Sequence, residues 1–345
     1  MTSFIIFIEI IEFLIYYNFN FYKDLRMENF KIFLITLTAF LFVIISIISC
    51  NYNDNKNNSV LQIKDRAGNE ITIPERIDKI ICLSPSITEI LIDIGDADKI
   101  ISVDSYSKEI LEKKNIDYSN MQIFDMMNPD AEKIISLNPN ILFINNFSVF
   151  SGKSSIDLIK NLGLSVAVIP NSDTLAGIED DISFIGEVLK LENKAEEIIF
   201  KMKENIEKIK SIGDKIKIEG NQKTVYFEIG ATPNLYSFGT NVYLDDMINI
   251  IGAKNIFENR NSWIAVSEES VLSANPDIIF TSVDYIDNPV SEILNRKAWQ
   301  NIKAIQKKQV YFIASSSLPN HNIIKALFLM AKSIYPNEYQ ELFND

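Results

Sequence analysis

The chain has 345 residues, 33 Lys+Arg against 46 Asp+Glu for a net charge of −13, 47% hydrophobic and 23% charged residues, and only 11 Gly and 10 Pro. That composition excludes a disordered or low-complexity chain, and so acidic a balance offers nothing to a phosphate backbone, which excludes nucleic acid as a partner. The length suits two ordinary domains plus a targeting segment.

From Met27 the chain reads MENFKIFLITLTAFLFVIISIISC: one lysine, an uncharged apolar run over 32–49, then Cys50. A charged start followed by such a run is a secretory signal. Its end, Ile47-Ile48-Ser49-Cys50, resembles the lipobox of bacterial lipoproteins, in which the signal is cut before a cysteine whose sulfur carries a diacylglycerol. That resemblance makes Cys50 the lipid attachment site. A membrane-spanning helix is the alternative, since about 20 apolar residues span a bilayer. The polar stretch NYNDNKNNS over 51–59 suits a tether between anchor and folded domain. Residues 1–26, with Glu9 and Glu12 inside a short apolar run, do not fit a signal and point to Met27 as the start.

VLQIKDRAGNEITI predicts two short strands turning at Ala67-Gly68-Asn69, with glycine where a positive φ is wanted. KIICLS reads as a strand buried on both faces, with Cys82 a small buried thiol. A helix through TEILIDIG, closed by Gly95, follows it. KIISVDSY is another strand, 129–137 a helix feeding the strand NILFIN, and SIDLIKNLGLSVAVIP one more helix and strand. A further helix covers 174–191. Strands and helices in alternation argue for a parallel sheet with helices on both faces, and such sheets bind ligands beyond the carboxyl ends of their strands. That singles out Ser84-Pro85-Ser86, Ser105-Tyr106, the loop from Phe124 through Met126 to Met127, and Asn145-Asn146-Phe147.

Over 193–211, Ala195, Ile199, Met202, Ile206 and Ile209 recur three or four residues apart among Glu and Lys, the stripe of a long amphipathic helix. After a polar linker, GDKIKIEGNQK, the pattern restarts: the strand TVYFEIG, the loop ATPNLYSFGT with Tyr236 and Phe238, YLDDMINIIGAKNIF as helix, Gly and strand, a last strand QVYFIASSSLP and a closing helix HNIIKALFLMAKSIYP. EKIISLNPNILF, starting at Glu132, and ESVLSANPDIIF, starting at Glu269, carry Glu, Ser, Asn-Pro, Ile and Phe at the same relative positions. The reading is an α/β chain of two lobes, each a mainly parallel sheet flanked by helices: lobes over 60–190 and 213–345, bridged by one helix over 191–212. Ligand-edge residues in the second lobe are Tyr236, Trp263, Tyr285, Ser315 and Ser316.

These residues together resemble the substrate-binding proteins of ABC importers for iron–siderophore complexes, haem and cobalamin. The resemblance runs over KIICLSPSITEILIDIG, PDAEKIISLNPNILFI, the long helix, YLDDMINIIGAKNIF, the Trp263–Phe280 phrase and AWQNIKAIQKKQVYFI, roughly 60–336. It implies two α/β lobes bridged by a rigid helix, a metal chelate held between them, an extracytoplasmic location and a monomer. It places Glu132 and Glu269 where the family carries the glutamate pair that meets arginines on a permease dimer. Trp263, four residues before Ser267, matches a tryptophan that touches the ligand in cobalamin binders, and Tyr106 stands where those proteins also have tyrosine. The phrase Trp-x-x-Val-Ser-x-Glu occurs across the family, so the choice among cobalamin, haem and iron–siderophore stays open. Arg260 is the one basic residue near a candidate loop, which disfavours a highly charged anionic ligand.

The other classes fare worse. With His321 the single histidine and no G-x-S-x-G, H-E-x-x-H or G-x-x-x-x-G-K, the chain lacks the usual parts for triad hydrolysis, zinc-protease chemistry and P-loop phosphate transfer. One histidine and one free cysteine also argue against direct ligation of a bare metal ion. A carboxylate-based α/β enzyme and a structural or adhesive surface lipoprotein are the alternatives that remain.

Overall fold

The computed structural model describes residues 61–314 and 319–343, which belong to one compact unit, Val60–Asp345. The signal segment, Cys50 and the tether lie outside the described residues, as do Ser315 and Ser316.

The chain enters through the expected hairpin, β1 (Leu61–Lys64) against β2 (Glu70–Ile73), with Gly68 at φ 84°. Asp65 fixes it. One carboxylate oxygen accepts from the Ala67 and Asn69 N–H groups and the other from Val168 N at 3.0 Å, so the hairpin is pinned to the sheet that follows. That sheet holds β3 (Ile80–Leu83), β4 (Ile100–Asp104), β5 (Gln122–Phe124), β6 (Ile141–Ile144) and β7 (Ser165–Val168), all parallel, in the order β5-β4-β3-β6-β7. The helices between and after them are α1 (Pro85–Leu91), α2 (Lys108–Lys113), α3 (Ala131–Ser136), α4 (Asn146–Ser151), α5 (Lys153–Asn161) and α6 (Leu175–Leu189). The strands read as unbroken apolar runs because both faces are covered. Ile81, Leu83, Leu142 and Ile144 pack on Ala131, Ile134, Ile156 and Ile159 of α3 and α5, while Ile80, Cys82, Ile141 and Phe143 point into a larger core on the other side.

That larger core is shared by both halves. Helix α7 (Glu192–Ile218) buries Ala195, Met202, Ile206 and Ile209 in it, with Ile199 packed alongside. The helix is longer than the 191–212 expected, and the stretch read as a polar linker is largely its last turns. Gly213 does not break it, because the glycine lets the helix touch another backbone: a Cβ there would fall 2.1 Å from Ile250 O. Ile216, one turn on, is buried.

The second sheet comprises β8 (Thr224–Glu228), β10 (Lys254–Asn255), β12 (Ile278–Thr281) and β13 (Val310–Phe312), parallel in the order β10-β8-β12-β13. Its helices are α8 (Tyr243–Ile250), α9 (Glu268–Ala274), α10 (Pro289–Leu294), α11 (Lys303–Gln306) and α12 (Ile323–Ile334). The segment expected to be a loop around Tyr236 contains a strand, β9 (Tyr236–Phe238), antiparallel to β11 (Trp263–Ala265). Its hydrogen-bonding partner is some 25 residues away, beyond any local signal. Val225, Phe227, Ile278 and Phe280 face the shared core, and Tyr226 and Ile279 face an outer one with Val271, Trp299 and Ile305.

Candidate functional site

The repeat seen in the sequence is a structural repeat. Asp130 and Ser267 each cap a helix by accepting the N–H three residues on. Asn138 and Asn275 each follow that helix in the left-handed region, at φ 50° and 44°, one residue before proline. Asparagine tolerates this conformation, and proline prevents the helix from resuming. Glu132 and Glu269 therefore stand at the same place, exposed in the first turn of α3 and α9. The Glu269 carboxyl is held below the usual carboxylate range by its own N–H and the Ser267 hydroxyl.

At the carboxyl ends of the first sheet, β4 finishes on the buried Asp104. Its carboxylate accepts from Tyr106 N (2.8 Å), Ser107 N (3.1 Å) and Ser107 Oγ (2.5 Å). Burial pushes this carboxyl up, against those hydrogen bonds. The turn so formed holds Tyr106 outward, 64% exposed. Ser84 and Ser86 hydroxyls meet at 3.2 Å beside Pro85. Met126 lies under Asn145, whose amide donates to the Met126 sulfur at 3.5 Å, a weak acceptor. Asn145 also caps α4 through Ser148 N, and Asn146 and Phe147 open that helix.

In the second half Tyr285 is 69% exposed, its hydroxyl accepting from Ala231 N at 2.8 Å, and Tyr236 is exposed at the start of β9. The β8 end leads inward instead. Arg296 forks onto both carboxylate oxygens of the buried Glu228, at 2.6 and 2.8 Å, and onto both of Glu292, at 2.5 and 3.0 Å. Its guanidinium lies 4.3 Å from the Trp299 ring centre, and Trp299 Nε1 donates to Glu268 at 2.9 Å. Burial raises the Glu228 carboxyl and Arg296 opposes it; burial lowers Arg296, but the two carboxylates outweigh that and keep it protonated.

The two halves also meet directly. Trp263 is half-buried and meets Phe238 and Tyr243 in T-shaped ring contacts, and its indole N–H donates to Asp173 at 2.9 Å, while the Asp173 carbonyl accepts from Tyr243 N. Elsewhere on the seam Asn320 donates to Glu89 at 2.7 Å, and His321 Nε2 lies 2.7 Å from Asp93, which also pairs with Lys114. Burial raises the Asp93 carboxyl, but His321 and Lys114 outweigh it and hold it well below the usual range. Asp104, Asp173, Glu89, Asp93 and Arg296 were not singled out from sequence. Asp173 sits 90 residues from Trp263 and Asp93 228 from His321, so no spacing could reveal them.

Cys82 is buried as expected, and burial pushes its thiol up to about 12. Among the described residues no group of three or more His, Cys, Asp or Glu side chains is placed to share a metal ion, and no helix is long and apolar enough to cross a membrane. Two surface hollows, of about 310 Å³ beside α7 and about 260 Å³ between β2 and β7, include none of the strand-end residues named above. The chemistry of the strand ends is therefore that of open loops carrying aromatic rings, with their polar groups largely bonded within the protein.

Residues 80–316 match the family described as periplasmic binding protein. The uncharacterized ABC transporter substrate-binding lipoprotein YvrC of Bacillus subtilis is 27% identical over 284 residues, covering 81% of this chain and 87% of its own. The molybdate-binding protein MolA of Haemophilus influenzae is 24% identical over 310 residues, 81% of this chain and 86% of its own. Its structure with molybdate bound matches this fold with a TM-score of 0.67 at 22% identity, over 81% and 93% of the two chains. A vitamin B12-binding protein of Vibrio parahaemolyticus is 25% identical over 213 residues, 60% of this chain and 72% of its own.

Proposed function

The chain belongs to the periplasmic binding protein family, and on that basis we propose that it is the extracytoplasmic substrate-binding component of an ABC importer. We infer a first lobe over 60–190 and a second that follows α7, which joins them; together they capture a metal chelate of the cobalamin, haem or iron–siderophore kind and present it to a permease dimer. It acts by binding and not by catalysis, as a monomer, held at the membrane through lipid on Cys50. The single observation that carries the reading is the set of exposed aromatics in both halves, Tyr106 just after β4 in one, and Tyr285 just after β12 and Tyr236 at the start of β9 in the other. Rings held by internally satisfied loops suit a large ligand with apolar faces. Pro85, Ser86, Met126 and Asn146 complete the edge on the first lobe; Ser316, a ligand residue by its sequence position, lies outside the described residues. Trp263 contributes a ring face near the seam, its N–H being engaged by Asp173. Glu132 and Glu269 dock the permease, one per subunit.

Native mass spectrometry of the protein purified from its own cells should show a carried-over ligand of chelate mass. Melting with cyanocobalamin, haemin, a ferric catecholate and molybdate should single out one chelate, which at a hundredfold excess over Kd adds about 2.7 kcal/mol. No adduct and no shift with any of the three chelates, or a shift with molybdate alone, would sink the reading.

A further inference from the structure

Helix α8 begins without a cap of its own. Val242, the residue before it, has no side-chain oxygen to accept a first-turn N–H, and the Tyr243 N–H donates instead to the backbone carbonyl of Asp173 in the first half. The Asp173 carboxylate takes a second donor from the same place, the Trp263 indole N–H at 2.9 Å. Both acceptors of one residue thus serve one aromatic group, since the Tyr243 and Trp263 rings are in contact with centres 6.0 Å apart. On its own side Asp173 is held from both neighbours. Ser172 donates to Asp181 at 2.6 Å, Asp181 also accepts from Arg66 at 2.7 Å, and Thr174 caps α6 by accepting from Gly177 N at 3.0 Å. The loop lies so near that helix that a Cβ on Gly177 would stand 2.8 Å from the Ser172 hydroxyl.

Across the seam, β9 and β11 pair Trp263 with Phe238 and Ala265 with Tyr236, so these four side chains share one face of the ribbon. The other face is committed to the interior, where Ser237 donates to Phe227 O at 2.7 Å and Ile264 packs on the outer core. The shared face runs from buried Phe238 through half-buried Trp263 to exposed Ala265 and Tyr236. Trp263 and Tyr236 are therefore diagonal neighbours on one wall, and Asp173 grips its seam end. Asp173 is exposed, so its bond to the indole adds little to folding, but it fixes the direction of a ring otherwise held only by apolar contacts.

We propose that Asp173 is a positioning residue for the ligand, orienting the Trp263 ring of the second half from a fixed loop of the first. The proposal rests on the importer reading and on Trp263 as a ligand residue, and it adds the residue that sets that ring before the ligand arrives.

The test measures affinity for whichever of cyanocobalamin, haemin and the ferric catecholate stabilises the wild type. A freed indole must be ordered again on binding, so Asp173→Ala should weaken binding about threefold to tenfold. Asp173→Asn, which keeps an acceptor oxygen, should restore most of it, and the ligand-free melting temperature should stay at the wild-type value in both. In a Trp263→Phe background Asp173→Ala should change affinity by less than about twofold, because the group it acts through is gone. The chain has two tryptophans, so the indole N–H resonance that disappears in Trp263→Phe identifies residue 263. In Asp173→Ala without ligand that resonance should move upfield and exchange faster with solvent. Unchanged affinity in Asp173→Ala, an equal loss in both backgrounds, an asparagine variant as weak as alanine, or an unmoved resonance each overturns the proposal while the importer reading stands. A fall in melting temperature that parallels the affinity loss makes Asp173 structural and overturns it too. Failure of the wild type to bind any of the three chelates overturns the importer reading and this proposal together.

Discussion

In the first half Asp130 caps α3, Asn138 ends it, and the Asn140 side chain accepts from the N–H groups of Asp78 and Lys79 at the foot of β3. In the second half Ser267 caps α9, Asn275 ends it, and Asp277 accepts from the N–H and hydroxyl of Thr224 at the foot of β8. The units share a capped helix start, a left-handed asparagine before proline and a side chain that accepts at the foot of the strand before, but Asn275 alone also accepts from Lys303 N, and the two are mounted differently. Helix α3 rests on its sheet through Ala131 and Ile134. Helix α9 buries Val271 and is also tethered by Glu268 to Trp299, hence to Arg296 and the buried Glu228. A short repeat can therefore specify a local geometry twice, while long-range partners decide how firmly each copy is held.

The largest effect tests the equivalence at the level of function. If the two units present equivalent carboxylates, Glu132→Arg combined with Glu269→Arg abolishes uptake while chelate affinity stays within a few-fold, and arginine-to-glutamate changes on the permease restore part of it. Each single variant should impair uptake to a similar degree. Normal uptake in the double variant would reject docking through these residues, and a parallel loss of ligand binding would make them structural.

Next comes the difference in mounting. Arg296→Met leaves Glu228 and Glu292 without their cation in a largely buried site, an expected loss of about 3–5 kcal/mol in urea unfolding. A loss below about 1 kcal/mol would mean that the network contributes little. Smaller effects should come from Asn138→Ala, about 1–2 kcal/mol for placing a Cβ without a local polar partner in the left-handed region, and, larger than this, from Asn275→Ala, whose side-chain oxygen also accepts from Lys303 N at 2.9 Å. Glycine at 138 should cost far less, while glycine at 275 should still lose the Lys303 hydrogen bond; equal losses at the two positions would show that this bond adds nothing.

The smallest effect concerns the seam between the halves. The Asp93 carboxyl is depressed in the folded protein, so its contribution is present above the unfolded carboxylate range, near pH 4, and is lost as pH falls toward the folded value. Both partners are partly wet, so screening keeps the effect modest. Between pH 5 and pH 2 the wild type should lose more stability than Asp93→Asn, read from urea midpoints. Parallel curves would show that the clasp with His321 and Lys114 adds nothing.

What the sequence by itself determined is what short-range physics writes into it. The hairpin turns where Gly68 supplies a positive φ, KIICLS and NILFIN are buried on both faces, the stripe from Ala195 to Ile209 is the buried face of α7, and the two Asn-Pro units match. Each depends on residues within a turn or a strand of one another. Tertiary structure decided the rest. Gly213 looked like the end of a helix and is a point of backbone contact, because only the arrival of Ile250 distinguishes the two. The loop at Tyr236 became a strand once Trp263 lay beside Phe238. Trp263 could be read as an aromatic near polar residues, but the use of its N–H depended on Asp173 from the other half. Hydrogen bonds and charges at a seam are chosen by which chain segments the fold brings together, and a periodic pattern carries no record of that choice.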